Sequence, residues 1–439
     1  MTKITQVCIA VAGSMLCLSP LRAENWPQWR GPHFDGSTTE TKLPDTLDPK
    51  TTMVWSIETP GPGCATPVVF NDRIFFTSLD KKTKKLLAIC ASRADGKILW
   101  SKEIGLGAVT NNRNDMASPS PITDGKTVWF YFGTGDLAAF DVEGNPLWSR
   151  NLEKDHGKFN MLWLYSASPL LHEGKLYIPV LHRDTPVAQR GGPPSSDSAR
   201  ADSYLLCVDP GTGKDLWKVV RPTDAVQEAR EAYTTPVPIT VDGKTQIVIM
   251  GGDYATGHDA ETGKELWRTS NYNPTKNGSY RTVASVTGGD GLVFASPPKG
   301  GAMFAIKPGT GEANPATIAW KNPEVTTDVC VPLFYQGMLY VLDGDRKKPL
   351  YCLDPKTGEK KWTTDLGGKS VFRSSPTGAD GKIYCMNEAG DVVVVSVADG
   401  KILSHQSLGT DSASRASIVA ADGQIFVRTG DHLYAFGKK

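Results

Sequence analysis

The chain has 439 residues, 39% hydrophobic and 22% charged, which suits two or three ordinary globular domains or one large repeat domain. Its 48 Lys+Arg against 47 Asp+Glu leave a net charge of +1. No basic excess exists to neutralise phosphates or anionic lipid, so nucleic acid is not an expected partner.

Residues 1–23 have the pattern of a secretory signal peptide. Lys3 supplies a positive start, Val7 to Leu18 is an apolar run too short to span a bilayer, and Leu21-Arg22-Ala23 offers a small residue at a cleavage point. Met15-Leu16 before Cys17 is a poor lipoprotein context, and no later stretch is apolar enough to cross a membrane. The expectation is a soluble, monomeric protein, periplasmic or secreted. Residues 24–51 form an N-terminal extension, and residues 52–439 carry a repeat.

That repeat is a short phrase turning on Thr-Gly or Asp-Gly and ending in tryptophan: Leu205 to Trp217, His258 to Trp267 and Leu350 to Trp362, with looser copies elsewhere. Aligned on Trp55, Trp100, Trp148, Trp217, Trp267, Trp320, Trp362 and, in the eighth slot, Ser404, successive copies lie 42 to 69 residues apart. A unit near 45 residues fits four short strands, the size of a propeller blade. Each unit opens with a segment containing Ser/Thr-Pro or its equivalent (Thr66-Pro67, Ser118-Pro119, Ser168-Pro169, Thr235-Pro236, Val331-Pro332, Ser375-Pro376). An apolar strand, a turn such as Asp242-Gly243-Lys244, an aromatic-rich strand and a Leu-x-Ala-x-Asp strand follow, and a hairpin leads to the tryptophan strand. The last unit lacks its fourth strand, whereas Thr52 to Ile57 carries Trp55 without three strands before it. The spacing therefore predicts an all-β, eight-bladed propeller of four-stranded antiparallel blades, its ring closed by an N-terminal strand.

Without Cys8 and Cys17, six cysteines remain: Cys64, Cys90, Cys207, Cys330, Cys352 and Cys385. Cys90, Cys207 and Cys352 occupy one place in three copies, which places them far apart and reads as small core residues. No CxxC, His-x-His, HExxH, Gly-x-Ser-x-Gly or phosphate-loop pattern occurs, so zinc, metal hydrolysis and nucleophilic hydrolysis lack support.

Length accumulates on one side of the disc. Ser101 to Ala117, Ser149 to Ala167, Lys218 to Thr234 and Arg268 to Ala284 link blades there, and Leu181 to Asp202 is inserted within blade 3. Long loops on a rigid scaffold are the expected binding face. Residues just before each Ser/Thr-Pro segment should ring the channel mouth: Cys64, Asp115, Tyr165, Tyr233, Arg281, Asp328, Arg373 and Arg415. The arginines suit an anionic small molecule or acidic peptide; alternatively these charges pair with one another around a wet channel. Cys64 is either a reactive exposed thiol or a buried one. Asp343-Gly344-Asp345 and Gly251-Gly252-Asp253 could hold calcium or serve only as turns.

The phrase Ala-x-Asp-x-x-Thr-Gly-x-x-x-Trp resembles the tryptophan-docking motif of quinoprotein repeats, and the likeness runs from Trp55 onward. Asn25-Trp26-Pro27-Gln28-Trp29-Arg30-Gly31-Pro32 is similar to the leader of exported PQQ-like propellers of planctomycete-type bacteria. The resemblance implies a structural, blade-docking role for Trp55, Trp100, Trp148, Trp217, Trp267, Trp320 and Trp362. It also implies two functional branches: alcohol dehydrogenases holding pyrroloquinoline quinone with calcium, and non-catalytic scaffolds such as the propeller of the outer-membrane barrel-assembly machinery. The dehydrogenases cover their quinone with a disulfide between adjacent cysteines, and this chain has no Cys-Cys pair. Trp163 could supply a stacking platform and Asp328 or Asp115 a carboxylate, but no spacing singles them out. The expectation is a non-catalytic scaffold without metal or cofactor that binds a protein segment or small ligand through its long-loop face; the alternative is a quinoprotein oxidoreductase.

Overall fold

A computed structural model describes residues 24–107, 113–188, 201–345 and 347–437. The leader, the middle of the blade 3 insertion and part of the Ser101 to Ala117 linker lie outside the described residues. Eight four-stranded antiparallel sheets form the ring. Blade 1 is typical: Val68–Phe70, Arg73–Leu79, Lys85–Ser92 and Ile98–Leu106, each paired with the next. Blade 8 joins the two ends of the chain, since Met53–Glu58 pairs with His432–Gly437 to supply its outermost strand.

Burial follows position in the blade. The third strand is nearly continuous in its burial, as in Lys85–Ser92, because blades cover both its faces. Outermost strands alternate between half-buried and exposed, as in Asp215–Val220, so only one face packs. The turns between first and second strands place Asp242-Gly243, Asp380-Gly381 and Asp422-Gly423 all at positive φ, the primed hairpin geometry that Asp-Gly favours.

The repeated phrase has a packing explanation. In blade 3, Asp209 Oδ1 accepts from Thr212 N (2.7 Å) and Thr212 Oγ1 (2.9 Å), and Gly213 follows at φ 72°. Trp148, from the blade before, lies flat against that glycine: a β-carbon there would come within 2.6 Å of the indole. The same contact joins Trp55 to Gly96, Trp100 to Gly144, Trp217 to Gly263, Trp320 to Gly358 and Trp362 to Gly400. Several indole N–H groups also donate to carbonyls of the neighbouring hairpin: Trp55 to Arg93, Trp100 to Val142, Trp148 to Pro210 and Trp320 to Pro355, at 2.8–3.0 Å.

Directly across from each tryptophan, the third strand carries a small residue: Cys90, Ala139, Cys207, Gly257, Ala305, Cys352 or Ala435. The repeated cysteines are therefore unpaired, buried and small enough to admit an indole. Where Ser404 replaces tryptophan, the larger Val394 stands opposite and recovers part of the volume. Ser404 lies at the ring closure, where blade 8 has no hairpin between its third and fourth strands; its hydroxyl donates instead to Asp45 O (2.7 Å). Trp267 departs as well. Its indole N–H donates to Gln246 Oε1 (2.6 Å), and Gln246 Nε2 reaches Gly309 O (2.9 Å) in the longer hairpin of blade 5.

The extension at residues 24–51 crosses the short-turn face and closes the channel there. Trp26 pairs with Val69 of blade 1, Pro27 O accepts from Thr123 N (2.9 Å) of blade 2, and Thr38 N reaches Gly378 O (3.1 Å) of blade 7. Between these points the buried Arg30 donates to Pro376 O (2.9 Å), Pro332 O (3.0 Å) and Asp35 O (2.7 Å). Phe34 meets His172 edge-on at 5.5 Å. Sequence spacing assigned this stretch no role in the channel.

Candidate functional site

Inside the long-loop end a hoop of hydroxyls ties blade to blade. Thr66 N donates to Ser120 Oγ, Ser120 N to Ser168 Oγ, Ser168 N to Thr235 Oγ1, Thr235 N to Ser285 Oγ, Val331 N to Ser375 Oγ and Ser417 N to Thr66 Oγ1, all at 2.9–3.0 Å. Blade 2 contributes Ser120, not Ser118: its first strand is Ile122–Thr123, so Ser120-Pro121 is the true counterpart of the other Ser/Thr-Pro pairs. The proline fixes the strand entry while the preceding hydroxyl satisfies a backbone N–H of the neighbouring blade.

Two residues before each hoop position, the chain faces a funnel of about 370 Å³: Cys64, Ser118, Ser166, Tyr233, Val283, Val329, Arg373 and Arg415. Trp163, Arg281 and Asp328 line it as well. Of the positions selected from sequence, Asp115 and Tyr165 are not in this lining. Tyr165 is buried; its hydroxyl donates to Pro179 O (2.7 Å) and its ring packs on Tyr131 and Phe159. Asp115 sits behind the wall, where Oδ1 accepts from Ala117 N (2.7 Å). Both lie three residues ahead of the Ser-Pro pair used to count, not two before the hoop residue, and Leu164 at φ 73° turns the chain so that Ser166 faces the funnel. Trp29 also lines the cavity, so the N-terminal extension, to which the sequence assigned no binding role, closes the channel and contributes to the site.

The arginines of the mouth are compensated by acids: Asp345, which the sequence marked only as a turn or calcium candidate, and Glu388 and Glu228, which it did not mark. Arg373 Nη2 meets Asp345 Oδ1 at 2.9 Å, Arg415 Nε meets Glu388 Oε1 at 2.7 Å, and Arg281 Nη1 meets Glu228 Oε1 at 3.2 Å. The first two pairs repeat one arrangement: an arginine entering a blade takes a carboxylate from the loop after the second strand of the preceding blade. That shared spacing was the available signal. Glu228 Oε1 also accepts from Trp163 Nε1 (2.6 Å), and the Arg281 guanidinium lies 5.5 Å from the Trp163 ring centre. Trp163 N donates to Tyr233 Oη (3.3 Å), and that hydroxyl donates to the buried Glu231 (2.5 Å), which Arg183 also meets. Burial pushes the Glu231 carboxyl up, against the hydrogen bond from Tyr233 and the charge of Arg183.

At the blade 8 corner, Arg415 Nη1 approaches Cys64 Sγ at 3.9 Å. Burial, reinforced by Asp115, pushes the Cys64 thiol up, and Arg415 opposes it. Arg428 lies buried behind the wall, 5.1 Å from the Phe76 ring centre, and burial lowers its guanidinium to about 10. The two acidic turns are engaged elsewhere: Asp345 with Arg373, and Asp253 with Asn273 Nδ2 at 3.2 and 3.3 Å.

Among the described residues no three His, Cys, Asp or Glu side chains converge as a metal site. Glu228 and Glu388 are held by arginines, and Asp328 Oδ1 accepts from Lys299 N (3.0 Å). A calcium-held quinone requires a converging carboxylate and amide set, and this donor arrangement does not fit one. No helix among the described residues is long and apolar enough to cross a membrane.

Ring, repeat and closure define an eight-bladed propeller of the quinoprotein-repeat class. The chain belongs to the family described as outer membrane protein assembly factor BamB, whose profile matches residues 46–180 and 201–439. It is similar to the polyvinylalcohol dehydrogenase of Sphingopyxis sp. (strain 113P3), with 22% identity over 93% of this chain and 71% of the relative. Among solved structures it resembles the quinohemoprotein alcohol dehydrogenase ADHIIG of Pseudomonas putida HK5 (TM-score 0.66, 13% identity, 94% of this chain and 80% of that one). It also resembles BamB of Moraxella catarrhalis (TM-score 0.59, 14% identity, 88% and 98%). At such identity the structural likeness speaks to the fold alone.

Proposed function

We propose that this protein is an exported, non-catalytic binding propeller that takes a small ligand in the funnel of its long-loop face. The observation that carries this reading is the closure of the channel at its other end by the extension, with Trp29 lining the cavity and Arg30 clamped to three backbone carbonyls. A through-channel would admit a polypeptide; a blind cavity of about 370 Å³ suits a small molecule or one protruding side chain. Export follows from the leader pattern. Cleavage after Ala23 would leave the Glu24 amine beside Glu40 Oε1, which accepts from Glu24 N at 2.5 Å, and so would anchor the new terminus by an ion pair.

The competing reading, a quinoprotein oxidoreductase, draws on the likeness to the Sphingopyxis dehydrogenase along 93% of this chain. One experiment separates them. The secreted protein is titrated with pyrroloquinoline quinone and calcium and followed by absorbance and dye-linked alcohol oxidation, and in parallel with small-molecule probes by tryptophan fluorescence. Binding of small molecules without turnover is expected. Stoichiometric quinone binding with turnover would overturn the scaffold reading.

A further inference from the structure

We propose that the funnel's ligand is a neutral, polyhydroxylated molecule of the saccharide class, stacked on Trp163; this rests on the blind-funnel reading above. Charge balance is the first argument. Of the four arginines among the described residues that line the funnel, Arg281, Arg373 and Arg415 meet carboxylates, Glu228, Asp345 and Glu388 respectively, and the lining acid Asp328 accepts from Lys299 N. A site for a free anion presents cations whose charge the ligand satisfies, and a site for a cation presents acids in the same way. Pre-formed arginine–carboxylate pairs instead offer fixed N–H donors beside fixed oxygen acceptors. A hydroxyl, which donates once and accepts twice, uses both. Vicinal hydroxyls match such a pair, and an ion would have to break it.

The second argument is the platform. Trp163 is held at three points: its backbone N–H on the Tyr233 hydroxyl, its indole N–H on Glu228, and one face of its ring under the Arg281 guanidinium, so that a sugar would stack on the opposite face. The Tyr233 hydroxyl is itself fixed on Glu231. A large aromatic ring set in a cavity wall and locked by its polar edge is preorganised to receive the C–H face of a sugar ring, with little ordering left for binding to accomplish. Trp29 and the hoop hydroxyls complete a lining of aromatic faces and short polar groups. Among the described residues of the lining, the aliphatic side chains are Val283, Val329 and Val331, too few to favour a lipid or an alkyl chain. The cavity volume of about 370 Å³ corresponds to one or two sugar rings, so a longer glycan would enter by its end.

The test is titration of the secreted protein with neutral maltotriose and cellotriose, with citrate as the anionic probe and spermidine as the cationic one. Binding is read by tryptophan fluorescence and calorimetry at low and high salt. At least one trisaccharide should bind, with an affinity that salt leaves unchanged, because a neutral ligand releases no counterions. Trp163→Ala should weaken it by about tenfold or more, an effect near 1.4 kcal/mol. Trp163→Phe should restore part of that loss, and Arg281→Gln should weaken binding while the thermal melt confirms an intact ring. Salt-sensitive binding of citrate or spermidine without trisaccharide binding would overturn the ligand class and leave the blind-funnel reading standing. Failure of all four probes would overturn both. Trisaccharide binding indifferent to Trp163→Ala would move the site elsewhere and overturn this proposal.

Discussion

The two ends of the central channel are built by opposite means. At the short-turn end the chain closes the hole with its own backbone: Arg30 is buried among three carbonyls, and strand-like bonds join residues 26–38 to blades 1 and 7. At the long-loop end the lining is held by pairs of partly exposed side chains, Arg373 with Asp345 and Arg415 with Glu388. Buried polar groups are expensive to leave unmade, whereas pairs that keep contact with water cost less to break. The plug is therefore a stability element, and the mouth is free to be shaped by what it binds.

The largest expected effect is at the plug. Arg30→Ala removes three donors from buried carbonyls and leaves a void, and should cost about 3–5 kcal/mol, read as a lowered denaturant midpoint. A loss below about 1 kcal/mol would show that the extension merely rests on the ring.

Next comes the wall between the ends. Gly213→Ala places a β-carbon 2.6 Å from Trp148 at φ 72°, whereas Gly174→Ala meets nothing within 4 Å at φ 71°. The first should cost about 2–4 kcal/mol and the second about 1 kcal/mol. Chemical denaturation of the two variants isolates the tryptophan contact from the backbone strain they share. Equal losses would remove the packing explanation of the repeated phrase.

Asp253 sharpens the contrast from the long-loop side. Burial pushes its carboxyl up to about 6, above its unfolded value, so the folded state holds its proton while the unfolded state has lost it. Stability attributable to this group falls as pH rises from about 4 to about 6 and is level above that. Asp253 has φ 69°, a conformation asparagine tolerates. Asp253→Asn should then stabilise the protein by about 1 kcal/mol at pH 7 and leave it unchanged near pH 4, compared by melts at the two pH values. Stabilisation at pH 4 as well would assign the gain to something other than the charge.

The contrast between the two ends also marks what the sequence could and could not disclose. Blade number, strand order and closure by Thr52 to Ile57 were legible, because a period near 45 residues and Asp-Gly turns depend on local chemistry. The plug was not, because Trp26 to Phe34 has no period and its partners are scattered from Val69 in blade 1 to Pro376, 346 residues from Arg30. The mouth was legible in part. Tyr233, Arg373 and Arg415 stand two residues before a hoop hydroxyl and line the funnel, while Asp115 was counted from Ser118 instead of Ser120 and Tyr165 lies three residues, not two, before Ser168. Glu228 and Glu388 sit in loops whose own sequence carries no signal, and only the register between blades exposes them.

The smallest effect on stability, and the finest test of the mouth, is Arg373→Gln. The pair it breaks is partly exposed, so stability should stay within about 0.5 kcal/mol of the parent. Its consequence is electrostatic. Asp345 loses its partner beside Asp343, whose carboxyl burial already pushes up, with Asp345 and Asp328 adding to the rise. Three carboxylates without that guanidinium make a negative corner in a cavity where Arg281 and Arg415 keep their carboxylates. Spermidine should then bind this variant at low ionic strength and leave as salt is added, while the parent ignores it. Equal spermidine binding by parent and variant would mean that Arg373 never neutralised the corner, and the charge balance assigned to the funnel would fail at the residue where it is simplest to measure.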